Sequence, residues 1–199
     1  MTRTVSRTGT RAGLVALAVL AALAGLPGTG RSSAAEAMTT ITMTVSGCEG
    51  CTITPVQAIT GSTAVYTGTP VKVTGGQAAF VVPTSKTAGM SFNLEATWPV
   101  DINAIPVIVT QYKGIRAGQA VTRPQALAAR RATACWAGTA SSAVSLQVKV
   151  GRVTMPGFPS GRATVPLAWF VPTAAATGGF SRAYKGTIAQ QDAWYCPAA

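Results

Sequence analysis

The side chains here that combine reactive type with suggestive spacing are four cysteines. Cys48 and Cys51 form a C-x-x-C, Cys135 sits in Ala-Cys-Trp-Ala-Gly-Thr, and Cys196 lies near the end in Trp194-Tyr195-Cys196. A C-x-x-C performs dithiol redox chemistry when it opens a helix after a strand. This one stands between threonine-rich β-type runs, residues 38–45 and 52–54, with no helical pattern behind it. Gly50 supplies the positive φ that a tight turn needs, so the simplest picture is a hairpin whose corner is stapled by Cys48–Cys51. Four cysteines allow three pairings, of which Cys48–Cys51 with Cys135–Cys196 is favoured here. The second bridge would close the last third of the chain into a loop and contribute about 4 kcal/mol in the chain-entropy treatment. A four-cysteine zinc site is the competing use, but it wants two paired spacings and a reducing compartment.

Histidine is absent from the chain. That removes Ser-His-Asp and Cys-His nucleophile activation, and with them histidine-ligated zinc. Beyond residue 37 the carboxylates are Glu49, Glu95, Asp101 and Asp192, whose positions give no sign of convergence on a glycosidic bond. No S-x-x-K occurs, and Thr84-Ser85-Lys86 lacks the helical spacing of a Ser–Lys dyad. The expectation is a non-enzymatic protein with no cofactor and no metal; an extracellular redox protein or hydrolase ranks last.

Binding chemistry is better supplied. The chain carries 16 Lys and Arg against five acids; setting aside residues 1–37 removes four and one, leaving 12 against 4 and a net charge of +8. Such an excess suits anionic partners, here a cell-wall or surface polymer, with no motif for specific nucleic acid. The basic residues are dispersed along the chain, Arg130-Arg131 being the adjacent pair among them. Lys113, Arg116, Arg123, Arg130, Arg131 and Lys185 are the candidate anion contacts. Trp98 and Trp169 fall in phase with buried strand positions, whereas Trp194 and Tyr195 are freer and are the candidates for stacking on a glycan. A carbohydrate-binding module, or a site for another protein, is the alternative these leave.

The elements that must position these residues are mostly strands. Ile41, Met43 and Val45 alternate with threonines; Met90, Phe92, Leu94, Ala96 and Trp98 alternate with Ser91, Asn93, Glu95 and Thr97; residues 144–150 alternate likewise. Gly75-Gly76 between two apolar runs predicts a hairpin. Residues 107–112, 163–171, 180–184 and 190–196 supply further strands, with Pro166 arguing for an edge or a bulge. Thr122 with Gln125 is a capping-box pattern, and the alanine-rich stretch 125–133 suits one short helix carrying Arg130 and Arg131. Tyr112-Lys113-Gly114 is faintly echoed by Tyr184-Lys185-Gly186. Short strands punctuated by Gly and Pro predict a mainly β protein: an antiparallel β-sandwich, immunoglobulin-like in broad architecture, with one short helix and disulfides.

Residues 1–37 read as a cleaved signal peptide. Arg3, Arg7 and Arg11 precede the apolar run 12–26, and Ala35-Glu36-Ala37 offers a cut before Met38, with a cut after Ala35 as the variant. Fifteen apolar residues fall short of the roughly 20 that span a bilayer. No Arg-Arg pair marks a twin-arginine signal, and Leu26-Pro27-Gly28-Thr29-Gly30 has the LPxTG form far from the C-terminus where it would act. Residues 38–199 are expected to form a single secreted domain, with no transmembrane segment once the signal is removed. The layout of signal peptide, G-C-E-G-C, A-C-W-A-G-T, Y-K-G and terminal W-Y-C resembles uncharacterised secreted proteins of actinobacterial type. The resemblance implies an extracellular home and brings no activity with it; association with the cell wall is a further expectation.

Overall fold

The computed structural model describes residues 35–98, 106–156, 161–193 and 195–198. The signal-peptide reading, apart from residues 35–37, and the site at Trp194 lie outside the described residues. In chain order the strands are β1 (Met38–Ser46), β2 (Thr52–Ala58), β3 (Val65–Thr67), β4 (Val71–Lys72), β5 (Gln77–Pro83), β6 (Met90–Glu95), β7 (Gln111–Tyr112), β8 (Arg131–Thr133), β9 (Ala143–Met155), β10 (Ala163–Phe170) and β11 (Ser181–Arg182). Among the described residues two short α-helices accompany them, α1 (Arg123–Ala128) and α2 (Gln190–Ala193), with a 3-10 turn at Thr84–Lys86. The chain is mainly β, as its alternation requires.

Among the described residues the strands assemble into three sheets. The first has the order β10-β9-β1-β5, the second sets β2 between β6 on one edge and β3 and β4 on the other, and the third is β11-β8-β7. Pairing is antiparallel except between β1 and β9, where Ile41 lies opposite Val144 in a parallel register. Sheets one and two enclose the main core. Ile41, Met43 and Val45 of β1 and Phe80 of β5 meet Ile53 of β2 and Met90, Phe92 and Leu94 of β6. Phe92 sits at its centre, with ring centroids 6.2 Å from Phe80, 6.2 Å from Trp136 and 5.9 Å from Phe170. Each such side chain contributes about 1.5–3 kcal/mol on burial, and this cluster joins the sheets.

A second core lies on the opposite face of β10. Ala168 and Phe170 point into the first core, while Val165, Leu167 and Trp169 point into the second, against Tyr112, Ala126, Ala132, Ala183 and Ile188. The near-continuous burial of β10 follows, because it is covered on both faces. Pro166 is tolerated there since β10 is the last strand of its ladder.

Several local expectations are revised. Cys48–Cys51 is not a hairpin corner: β1 and β2 do not pair, so the bridged turn carries the chain from sheet one to sheet two. Ser91 and Asn93 are buried rather than wetted, because the outer face of β6 is covered by the chain at Val107 and by the Cys196 sulfur, 3.6 Å from the Ser91 hydroxyl. Strand β6 ends at Glu95, short of the run to residue 98. Residues 107–110 are no regular strand but switch partners, Ile108 N–H donating to Phe92 O and Val109 N–H to Ala168 O, both at 2.8 Å. The capping box at Thr122 and Gln125 is present, yet α1 stops at Ala128 and residues 131–133 become β8, so Arg130 and Arg131 are not helical. Pairing with strands on both sides outweighs alanine's helix preference there. Finally, residues 190–193 form a helical turn instead of a strand. Cys196 then lies beside the end of β2, its N–H donating to Ala58 O and its carbonyl accepting from Thr60 N–H, each at 2.8 Å.

Candidate functional site

The cysteines are structural. Cys48 is bonded to Cys51 and Cys135 to Cys196, their Cα atoms 5.6 and 5.5 Å apart, and all four are buried. A dithiol exchange centre needs an accessible sulfur; Cys48 and Cys51 are 4% and 0% exposed. Glu49, inside that turn, is also engaged: its two carboxylate oxygens accept from the N–H groups of Gly75 and Gly76 at 2.9 and 3.0 Å. Those glycines have φ of +58° and +72°, the paired left-handed values of the hairpin turn between Thr74 and Gln77. Among the described residues no group of three His, Cys, Asp or Glu is placed to hold a metal ion.

The cations are where the fold does something the linear sequence does not display. Strand β8 is the middle of the third sheet, with Arg182 of β11 opposite Arg131 and with Lys113, next after β7, donating its N–H to Arg131 O at 3.0 Å. Lys113, Arg131 and Arg182 thus form one row across three strands, and all three are exposed. At strand spacing the row spans about 10 Å. The Arg131 guanidinium is anchored, Nε and Nη2 donating to Phe180 O at 3.1 and 2.8 Å. Those bonds use two of its five N–H donors. The side chains of Lys113 and Arg182 have no hydrogen-bond or ion-pair partner among the described residues. Arg130 immediately precedes β8, its carbonyl accepting from Ala183 N–H at 2.8 Å. Arg130, Arg182, Ala183 and Tyr184 border a cavity of about 370 Å³.

The other sequence candidates are placed differently. Arg123 Nη2 donates to Arg152 O at 2.9 Å and Lys185 Nζ to Thr154 O at 2.7 Å, so both side chains tie α1 and the Tyr184–Thr187 turn to β9. Arg152 in turn lies over the Trp98 ring, 4.4 Å from its centroid, which leaves Trp98 half-buried rather than fully in the core. Arg116 is on an exposed loop held by Thr173, whose hydroxyl donates to Arg116 O at 2.8 Å, and is not drawn into the row. Tyr195 is 58% exposed, and Trp136 and Trp169 are buried.

Arg182 and Tyr184, which is 46% exposed, were not among the residues the sequence singled out. A signal existed: ten of the 12 Lys and Arg beyond residue 37 fall after residue 105, where Asp192 is the sole acid. The faint Y-K-G echo also acquires a meaning. Both copies are turns, Ile115 N–H donating to Tyr112 O and Thr187 N–H to Tyr184 O. The first tyrosine supports the second turn, the Tyr112 hydroxyl donating to Gly186 O at 3.1 Å. Burial drives the Tyr112 phenol well above its ordinary pKa, and burial followed by the Glu36 charge raises that of Tyr66.

No protein-family model, no curated protein and no solved structure matches the chain.

Proposed function

We propose that this protein is a non-catalytic secreted module that attaches to an anionic polymer of a cell wall or surface through the third sheet. The observation that carries the reading is the row Lys113–Arg131–Arg182. Like charges opposite one another on a sheet are destabilising by a few tenths to about 1 kcal/mol per pair, so packing alone gives no reason for three in register. A polyanion laid across the strands turns that repulsion into attraction and adds the entropy of released counterions. Two disulfides and the apolar leader pattern of residues 12–26 support an oxidising, extracellular setting. Among the described residues no helix is long and apolar enough to cross a membrane.

The test is retention of the protein beginning at Met38 on an immobilised anionic polymer and on neutral polysaccharide, across a salt series. Attachment through the row gives binding to the anionic support that fades from 50 to 200 mM salt. Losing Lys113, Arg131 and Arg182 together removes about three ionic contacts, a factor of roughly 20–40 over that salt range by counterion release. A second reading, binding of neutral glycan, is favoured by Tyr184 and Tyr195, which are 46% and 58% exposed. Salt-resistant retention on neutral polysaccharide would select it and overturn the first.

A further inference from the structure

Beyond the extended row, the geometry points to a discrete subsite: we propose that the cavity bounded by Arg130, Arg182 and Tyr184 takes one pyranose unit bearing a tetrahedral oxyanion, phosphate or sulfate. The inference rests on the anionic-polymer reading and names the repeating unit such a polymer would present. Three observations carry it. First, the cavity's volume of about 370 Å³ falls at the lower end of small-molecule sites. Second, it is bordered by two arginines, Arg130 and Arg182, on adjacent segments joined by the bond from Ala183 N–H to Arg130 O. Neither guanidinium has a partner among the described residues, and guanidinium forks match the oxygens of a phosphate or sulfate. Third, the remaining lining is Ala183 and Tyr184, the latter 46% exposed and of a type whose ring can receive the C–H face of a sugar.

The backbone that carries Tyr184 is fixed by a tight turn. Its N–H donates to Thr187 O and its carbonyl accepts from Thr187 N–H, both at 3.0 Å, and from the Thr187 hydroxyl at 2.7 Å. The turn between them places Lys185 at φ +46° and Gly186 at φ +76°. A left-handed lysine is a conformation that L-residues adopt at a penalty of about 1 kcal/mol. In that conformation Lys185 Nζ donates to Thr154 O, while Gly186 lies where a side chain would strike Ala126 O. Such over-determined local strain is common where a side chain must be presented. A backbone fixed in advance lowers the ordering penalty of binding.

Calorimetric titration with glucose 6-phosphate, glucose 6-sulfate, inorganic phosphate and glucose tests the proposal on the protein beginning at Met38. The expected order places glucose 6-phosphate or glucose 6-sulfate at least about fivefold tighter than inorganic phosphate, with glucose weakest; which ester leads identifies the oxyanion. Arg130→Gln with Arg182→Gln lowers affinity for either ester by about tenfold or more. Tyr184→Leu removes the advantage of the ester over inorganic phosphate, and a thermal melt of each variant shows that the fold survives. Equal affinity for ester and inorganic phosphate, or an ester advantage that Tyr184→Leu leaves intact, overturns the subsite. If the wild type binds neither ester yet is retained on the polyanion in a salt-sensitive manner, the subsite alone falls. If retention on the polyanion fails as well, the broader reading falls with it.

Discussion

Removing a charge from the row should make the protein more stable while weakening its attachment. Arg182 faces Arg131 across one strand spacing and Lys113 across two. At about 5 and 10 Å in a water-like dielectric, the two repulsions are near 0.8 and 0.4 kcal/mol, upper limits because exposed side chains splay apart. Arg182→Gln keeps most of the stem and removes the charge, so the expected gain is about 0.3–1 kcal/mol. For a domain of this size that is a rise in Tm of roughly 1–4 °C. The gain belongs to low salt, near 20 mM, and disappears towards 1 M, where the screening length shrinks to about 3 Å. The assay is a pair of thermal melts, wild type and variant, repeated over the salt series used for retention on the anionic polymer. Stability and attachment should move in opposite directions. A loss of stability at every salt concentration would refute the reasoning, since it would mean that Arg182 is held by a favourable local contact.

Other perturbations probe the scaffold. Cys135→Ala with Cys196→Ala opens a bridge spanning a separation of 61 residues and should cost about 4 kcal/mol; the Cys48–Cys51 pair, separated by 3, should cost about 1.5 in the same treatment. Thermal melts check the ranking, and near-equal losses would contradict it. Tyr112→Phe strands the buried Gly186 carbonyl, an expected loss of about 1–3 kcal/mol in urea unfolding. Because the folded pKa of Tyr112 is raised, its stabilisation is complete below the unfolded phenol value near 10 and is lost as pH climbs above it. Stability should therefore fall less steeply above pH 10 in Tyr112→Phe than in wild type. Thr122→Ala breaks the capping box of α1 and should remove about 1 kcal/mol, read by the same unfolding measurement.

What the sequence made legible was local. Alternation located β1, the body of β9 and the apolar face of β6, since residues two apart must share a face. Gly75-Gly76 and the Thr122–Gln125 box are self-contained devices, and both formed where their residues stand. What stayed hidden depended on partners far along the chain. Residues 131–133 read as the tail of a helix until β7, about 20 residues earlier, and β11, about 50 later, pair with them. Ser91 and Asn93 read as a wet face until the C-terminal segment returns to cover them. The row of cations is hidden for the same reason. Lys113, Arg131 and Arg182 are dispersed in sequence, and the register of three very short strands alone makes them neighbours.

The same separation explains why cations of one type serve two purposes here. Strands of two or three residues cannot hold a sheet by their own ladders. The third sheet is secured by the second core on the far face of β10 and by side chains reaching back to β9. Arg123 and Lys185 are such ties, ending on the carbonyls of Arg152 and Thr154, while Lys113 and Arg182 end in solvent. The division predicts a split in behaviour. Arg123→Gln and Lys185→Gln should each lower unfolding free energy by about 0.5–1.5 kcal/mol, with only the small change in polyanion retention expected of one distant charge. Lys113→Gln and Arg182→Gln should leave stability equal or improved and take the larger share of the salt-sensitive retention. If all four variants weaken attachment by the same factor, net charge governs binding and the row has no special standing. A hierarchy with Arg182 and Lys113 at its head would instead mean that the fold uses β8 to gather charges and β9 to hold the sheet that presents them.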